Sequence, residues 1–270
     1  MNYKMIVLDL DGTLTNREKK ITPRTKKALM EAQKRGKIVV LASGRPAQGI
    51  LHLAEELEME QYGGYILAFN GGMIINCRTG EAVSSILLPQ DVNHTIVKLA
   101  EEHRVNILTY EGNTIITRKK EDPYVELEAG INQMTIREID DLADYVRGIT
   151  VPKFLMIDDG DYLATVEPLV KAALGRDFSV YRSEPFFLEI LPKGIDKAKR
   201  LEALLTRLGM SREEVIACGD GYNDLTMIKY AGLGVAMENG VLPVRKAADY
   251  ITASNNDDGV ALVVEKFLLS

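Results

Sequence analysis

Three short stretches of the chain combine acids, hydroxyls and amides at spacings suited to chemistry. They are Asp9-Leu10-Asp11-Gly12-Thr13, Ser43-Gly44-Arg45-Pro46 and Gly219-Asp220-Gly221-Tyr222-Asn223-Asp224. Asp9 and Asp11 are two residues apart, so in an extended strand both side chains start on the same side. Carboxylates crowded into a dry crevice repel one another unless a cation sits among them. Hard divalent cations prefer such oxygen ligands, and Mg2+ in particular is held by one or two carboxylates, waters and a substrate phosphate. Any one of these acids could instead stabilise a turn or cap the next helix. As a set, three polar clusters point to one shared site.

The elements that must position them are legible in the flanking residues. Met5-Ile6-Val7-Leu8, Ile38-Val39-Val40-Leu41-Ala42 and Val215-Ile216-Ala217-Cys218 each run into one of the clusters. Continuous apolarity over so few residues predicts strands buried on both faces, as in a parallel sheet. Between them lie helical patterns. One is opened by Thr22-Pro23 and carries Ala28, Leu29 and Ala32 on one face, and a second runs to about Leu57. Tyr65-Ile66-Leu67-Ala68-Phe69 then leads to the turn Asn70-Gly71-Gly72. Alternating strands and helices mean a parallel sheet with helical crossovers. Such sheets bind ligands beyond the carboxyl ends of their strands, which would bring Asp9, Asp11, Thr13, Ser43, Asp220, Asn223 and Asp224 into one crevice. The same texture returns late in the chain, with a helix over 196–208, the strand Leu233–Met237, a helix near 240–247 and a final amphipathic helix.

The middle reads differently. Helices are expected over 91–103, 121–131 and 162–174, with strands at 106–110, 114–118, 154–157, 178–182 and 186–190. The tight turn Glu111-Gly112-Asn113 implies antiparallel pairing, and no strand here ends in acids. The fold class is therefore α/β, a Rossmann-like parallel-sheet core (1–83 and 189–270) carrying an inserted α+β domain (84–188). No internal repeat or low-complexity stretch is visible.

Composition narrows the function. Of 270 residues, 33 are Lys or Arg and 39 are Asp or Glu, a net charge of −6. That balance argues against bulk electrostatic binding to nucleic acid or an anionic membrane. Two cysteines, Cys77 and Cys218, are too few for a secreted disulfide scaffold. No apolar run is long enough to span a bilayer, and Asp9 and Asp11 interrupt what could pass for a signal sequence. The expected compartment is the cytoplasm, with no obligate protein partner.

At this point the motifs become specific. Asp9-Leu10-Asp11-Gly12-Thr13-Leu14 resembles the first motif of the haloacid dehalogenase superfamily, Ser43-Gly44-Arg45 the second, and Gly219–Asp224 the fourth. The third is a lone Lys. Leu191-Pro192-Lys193-Gly194-Ile195-Asp196-Lys197 is similar to the Cof-type branch, in which the second Lys fills that role; Ala198, where many relatives carry Gly, leaves Lys193 as an alternative. Lys197 would also sit in the first turn of a helix, where the macrodipole disfavours a cation, and a residue that breaks a local rule is a functional candidate. Asn70-Gly71 and a large inserted cap of the C2 type match the same branch.

The resemblance implies a Mg2+-dependent phosphatase of small phosphorylated metabolites such as sugar phosphates. Asp9 would be the nucleophile, forming a phosphoaspartate, and Asp11 the general acid and base. The cation would be held by Asp9, the Asp11 main-chain carbonyl and Asp220, with Asn223 and Asp224 in or behind that shell. Thr13, Ser43 and Lys197 would donate to the phosphoryl oxygens, and Gly44, Arg45, Asn70 and Asn223 would line the phosphate and substrate region. The inserted cap would close over the substrate and set its choice.

Other readings compete. A phosphosugar mutase or phosphotransferase of the same superfamily uses the same two aspartates and is separated from a phosphatase by release of free phosphate. A phosphoacceptor signalling domain would be a compact single domain with an adjacent acidic pair, which this chain lacks. A dinucleotide-binding fold would need G-x-G-x-x-G after the first strand, which is absent. His52, His94 and His103 lie in helical stretches without partner clusters, and Cys218 belongs to a buried strand. Asn255-Asn256-Asp257-Asp258-Gly259 could touch the rim of the site but is expected to cap the final helix.

Overall fold

In the computed structural model, which describes residues 3–270, the apolar run Met5–Leu8 is strand β1, and all four of its side chains are buried. The chain continues through α1 (Pro23–Lys34), β2 (Ile38–Ala42), α2 (Gln48–Glu56), α3 (Met59–Tyr62), β3 (Tyr65–Ala68), β4 (Met73–Asn76) and β5 (Ala82–Ser85). An intervening stretch holds α4 (Gln90–Glu102), β6 (Asn106–Glu111), β7 (Thr114–Thr117), α5 (Pro123–Asn132) and β8 (Thr135–Glu138). It ends with α6 (Leu142–Tyr145), β9 (Phe154–Ile157), α7 (Gly160–Leu174), β10 (Phe178–Glu184) and β11 (Phe187–Pro192). The last part comprises α8 (Lys197–Leu208), β12 (Val215–Gly219), α9 (Leu225–Tyr230), β13 (Leu233–Ala236), α10 (Leu242–Ala247), β14 (Tyr250–Ile251) and α11 (Gly259–Val263).

Two compact units result, one made of residues up to Ser84 and from Asp196 onward, the other of Ser85–Ile195. In the first, eight strands lie in the order β14-β13-β12-β1-β2-β3-β4-β5. β1 pairs in parallel with both β2 and β12, and the sheet is parallel from β14 to β3. A strand covered on both faces must be apolar on both, which is why β1 shows no alternation. Met5, Val7 and Val40 pack with Leu201, Leu204 and Leu205 of α8. Burying each such large side chain stabilises the fold by about 1.5–3 kcal/mol. The Asn70-Gly71 turn does not start another helical crossover. Phe69, Asn70 and Gly71 all take positive φ (53°, 56° and 96°), and the chain reverses into β4, antiparallel to β3. The start of α1 follows its local signals, with Pro23 in the first turn and the Thr22 hydroxyl oxygen accepting the Thr25 N–H at 3.3 Å.

The second unit is a six-stranded sheet, β10-β11-β9-β6-β7-β8. Its pairs are antiparallel except β7 with β8, which run parallel with a helix between them. Ile96, Val97 and Ala100 of α4 and Leu163 and Val166 of α7 bury their faces with Phe154 and its neighbours on the sheet. The return to the core expected at 189 falls inside β11. That strand stays paired with β10 out to Pro192, so the unit extends to Ile195. Among the described residues, no helix is long and apolar enough to cross a membrane.

Candidate active site

The polar clusters after β1, β2 and β12 emerge at the carboxyl ends of three neighbouring parallel strands. Asp9 follows β1 directly and is buried, its N–H donating to the Cys218 carbonyl at 3.1 Å. The Lys197 ammonium, fully buried at the first position of α8, donates to Asp9 Oδ1 and Asp224 Oδ1, each at 2.6 Å. A cation there opposes the helix macrodipole, and the two carboxylates offset that. Burial works against the Lys197 charge too, but Asp224 and Asp9 more than compensate and hold its pKa above the ordinary lysine value. Lys193, the alternative third-motif lysine, is exposed and belongs to the second unit.

Asp224 is fully enclosed, and its other oxygen accepts the N–H groups of Asp220 and Gly221 at 3.0 and 2.9 Å. Its carboxylate therefore shapes the loop that presents Asp220. Asp220 in turn accepts the Thr13 hydroxyl at 2.7 Å. Gly12, at φ +90°, passes so close that a Cβ on it would lie 2.4 Å from Asp220 Oδ2. Only glycine fits there.

Carboxylate oxygens of Asp9, Asp220 and Asp224 lie within 4.8 Å of one another. Burial, then the Asp224 charge, push the Asp9 carboxyl up to about 8 against the pull of Lys197. Burial likewise raises Asp220 to about 6, Asp224 adding to the shift and the Thr13 hydrogen bond opposing it. Three carboxylates share one buried ammonium, so with all of them ionised the cluster lacks two positive charges. A hard divalent cation fits this donor set in both charge and ligand type.

A second constellation surrounds Asp11. Burial favours its neutral form, but the Arg45 hydrogen bonds and charge, and then those of Lys19, hold its carboxyl below the usual range. Arg45 donates from Nε to Oδ2 at 2.8 Å and from Nη2 to Oδ1 at 2.6 Å, a planar two-point grip. Lys19 adds a third contact at 2.6 Å. Arg45, expected in the phosphate and substrate region, directs its guanidinium to Asp11. Ser43 is buried and accepts the Arg45 N–H at 3.2 Å, leaving its own proton to donate. A third group links Gly44, Asn70 and Asn223: the Asn223 amide donates to Asn70 Oδ1 at 3.2 Å, and a Cβ on Gly44 would come 3.2 Å from Asn70 Nδ2.

Sequence reasoning missed Lys19, whose contact depends on a turn in which it takes φ +60°. It also misjudged the stretch 255–259. Asp258 precedes α11 but makes no side-chain cap; its carboxylate instead accepts the Thr22 hydroxyl at 2.5 Å. Asn255 and Asn256 bind the loop after β1 as well. That loop lacks regular structure, and its free carbonyls and N–H groups take these partners instead.

Comparison with known proteins gives the family. The family model for haloacid dehalogenase-like hydrolases matches residues 6–264. YxeH of Bacillus subtilis is 33% identical over 99% of both chains. YcsE of the same organism, named a 5-amino-6-(5-phospho-D-ribitylamino)uracil phosphatase, is 30% identical over 100% of this chain and 97% of its own. A haloacid dehalogenase-like hydrolase from Bacteroides thetaiotaomicron superposes with a TM-score of 0.95 at 50% identity, covering 98% of this chain and 99% of that one. With its catalytic-type clusters, its parallel core and a match over nearly the whole length, the chain belongs to the haloacid dehalogenase-like hydrolase family.

Proposed function

We propose that the protein hydrolyses small phosphomonoesters, sugar phosphates or metabolites like them, through a phosphoaspartate on Asp9 and with Mg2+ as cofactor. The observation that carries this reading is the buried Lys197 spanning Asp9 and Asp224 beside Asp220. A purely structural network has little reason to gather three acids around one ammonium, because buried ion pairs barely repay their desolvation.

Asp9 attacks phosphorus, splitting one difficult displacement into two easier ones. Lys197 keeps the attacking carboxylate in place and, with Thr13 and Ser43, donates to phosphoryl oxygens whose charge must be held through the transition state. Asp11 protonates the departing alkoxide and then takes a proton from the water that cleaves the phosphoaspartate. To do so it must leave the grip of Arg45 and Lys19, which favours its anion. The Asp9 carboxylate, the Asp11 main-chain carbonyl and Asp220 would hold the Mg2+, with Asn223 and Asp224 orienting them. Held by these residues, a bound Mg2+ would supply positive charge to offset the carboxylates and the charge on the phosphoryl oxygens. Substrate choice we assign to the inserted unit, 85–195, which carries none of these residues.

The test is a phosphate-release screen of the purified protein against phosphorylated metabolites with Mg2+. Release of inorganic phosphate from a subset of them, lost on chelation and regained on adding Mg2+, is the expected result. A product isomeric with its substrate and no free phosphate would identify a mutase instead.

A further inference from the structure

Residues 237–258 make a series of contacts with the loop that follows β1. The turn after β13 touches both catalytic loops at once. Met237 N–H donates to the Gly219 carbonyl at 3.1 Å and Val241 N–H to the Asp220 carbonyl at 2.9 Å, so the turn is fixed to the loop that carries Asp220. From the same turn, Asn239 Nδ2 donates to the carbonyl of Gly12 at 2.8 Å. Gly12 lies between Asp11 and Thr13, at the point where the chain runs against Asp220. Behind Asn239 stands Asn255, largely buried. Its N–H donates to Asn239 Oδ1 at 3.0 Å, and its side-chain amide to the Thr15 carbonyl at 2.8 Å.

We propose that Asn239, supported by Asn255, is a positioning residue that ties the Gly12 carbonyl to the Asp220 loop and thereby aims the Asp11 carboxyl at the leaving-group oxygen. The loop from Leu10 to Thr15 is irregular, so its course depends on such contacts. The loop does have internal bonds, such as Thr15 N–H to the Leu10 carbonyl at 2.9 Å, but these fix its curl and not its placement. Placement against the Asp220 loop comes from the Thr13 hydroxyl and from Asn239. Without Asn239, the Gly12–Thr13 peptide, one residue beyond Asp11, loses a contact that sets its orientation. A misplacement of about 1 Å at a reacting group costs on the order of 10²-fold in rate.

This inference rests on the acid role given to Asp11, and the leaving group separates the two. An alkoxide must be protonated as it departs, whereas p-nitrophenolate hardly needs a proton. Release of the leaving group is measured in a single turnover, with enzyme in excess and Mg2+ present, for glucose 6-phosphate and p-nitrophenyl phosphate. The proteins compared are wild type, Asp11→Asn, Asn239→Asp and Asn255→Asp. Asn239→Asp keeps the oxygen that accepts the Asn255 N–H but turns an oxygen toward the Gly12 carbonyl. Asn255→Asp does the same to Thr15.

Both Asn variants are expected to lose about 10–100-fold on the sugar phosphate and under about threefold on the aryl phosphate. A partly unfolded preparation lowers both rates equally and cancels in their ratio. If Asp11→Asn discriminates between the two leaving groups and Asn239→Asp does not, the positioning role is overturned while the acid assignment stands. If Asp11→Asn itself shows equal losses, the acid assignment fails and takes this proposal with it.

Discussion

At the scale of single residues, Lys197 is the group on which most depends. It has no solvent contact, and its two partners are themselves buried. Lys197→Met would leave Asp9 and Asp224 facing each other without a cation, a loss of about 3–5 kcal/mol when one partner of a buried pair is removed. Asp9→Asn keeps the Lys197–Asp224 contact and removes a carboxylate whose ionisation burial resists, so it should cost far less. Denaturant unfolding is expected to rank them in that order, and both should lose phosphate release, Asp9→Asn because a carboxamide is too poor a nucleophile and Lys197→Met because a donor to the phosphoryl oxygens is gone. Comparable stability of the two variants would show that the lysine is not the pivot of the cluster. Mg2+ at about 100 times its dissociation constant should stabilise the wild type by about 2.7 kcal/mol. Thermal melts of Asp220→Ala should require more Mg2+ for the same rise; an unchanged requirement would mean that Asp220 does not ligate the ion. The acids of the clusters were legible because their spacing at strand ends is unusual. Choosing Lys197 over Lys193 needed burial, and Lys19 was invisible because a surface lysine in a charged run carries no local mark.

At the scale of elements, the end of β1 is the critical place, since the chain must turn sharply there while carrying Asp9, Asp11 and Thr13. Gly12→Ala tests this. A methyl at φ +90° is strained, and it would press on the Asp220 carboxylate. The variant should lose about 1–3 kcal/mol of stability and need more Mg2+ for half-maximal activity, read from denaturation and a metal titration. An unchanged metal requirement would show that the approach of Gly12 to Asp220 has no bearing on the metal site. Elements marked by an unbroken apolar run or by a cap were readable from the chain: β1, β2 and β12 as apolar runs, and α1 from Thr22-Pro23. Those without such a mark were not. β8 (Thr135-Ile136-Arg137-Glu138) is mostly exposed and has too few apolar positions to show a period, and β4 and β5 are set by pairing with a neighbour. The strap from residues 239–258 to the loop after β1 joins positions more than 200 residues apart, beyond the reach of any local pattern.

At the scale of the whole molecule, the core gives up its chain at Ser84 and takes it back at Asp196. Ser84 accepts a hydrogen bond from Arg200 Nη2 at 2.6 Å, so these two points of the core are held near each other. A short linker in place of 85–195 should therefore leave a folded core that binds Mg2+ and hydrolyses small phosphates weakly and without preference. The measurement is its rate profile over the substrates of the full chain. An unaltered ranking would remove substrate choice from the inserted unit. The sheet order also bears on how the protein is made. β1 lies between β2 and β12, and β12 begins only at Val215. At about 5–20 residues per second, roughly 200 residues separate the two strands by ~10–40 s on the ribosome. During that interval one edge of β1 waits for its partner, while the inserted unit, continuous in sequence, has already been completed. The acids after β1 thus meet Asp220 and Asp224 only after the inserted unit has been made, and a chain truncated before β12 would leave one apolar edge of β1 open to pairing with other chains.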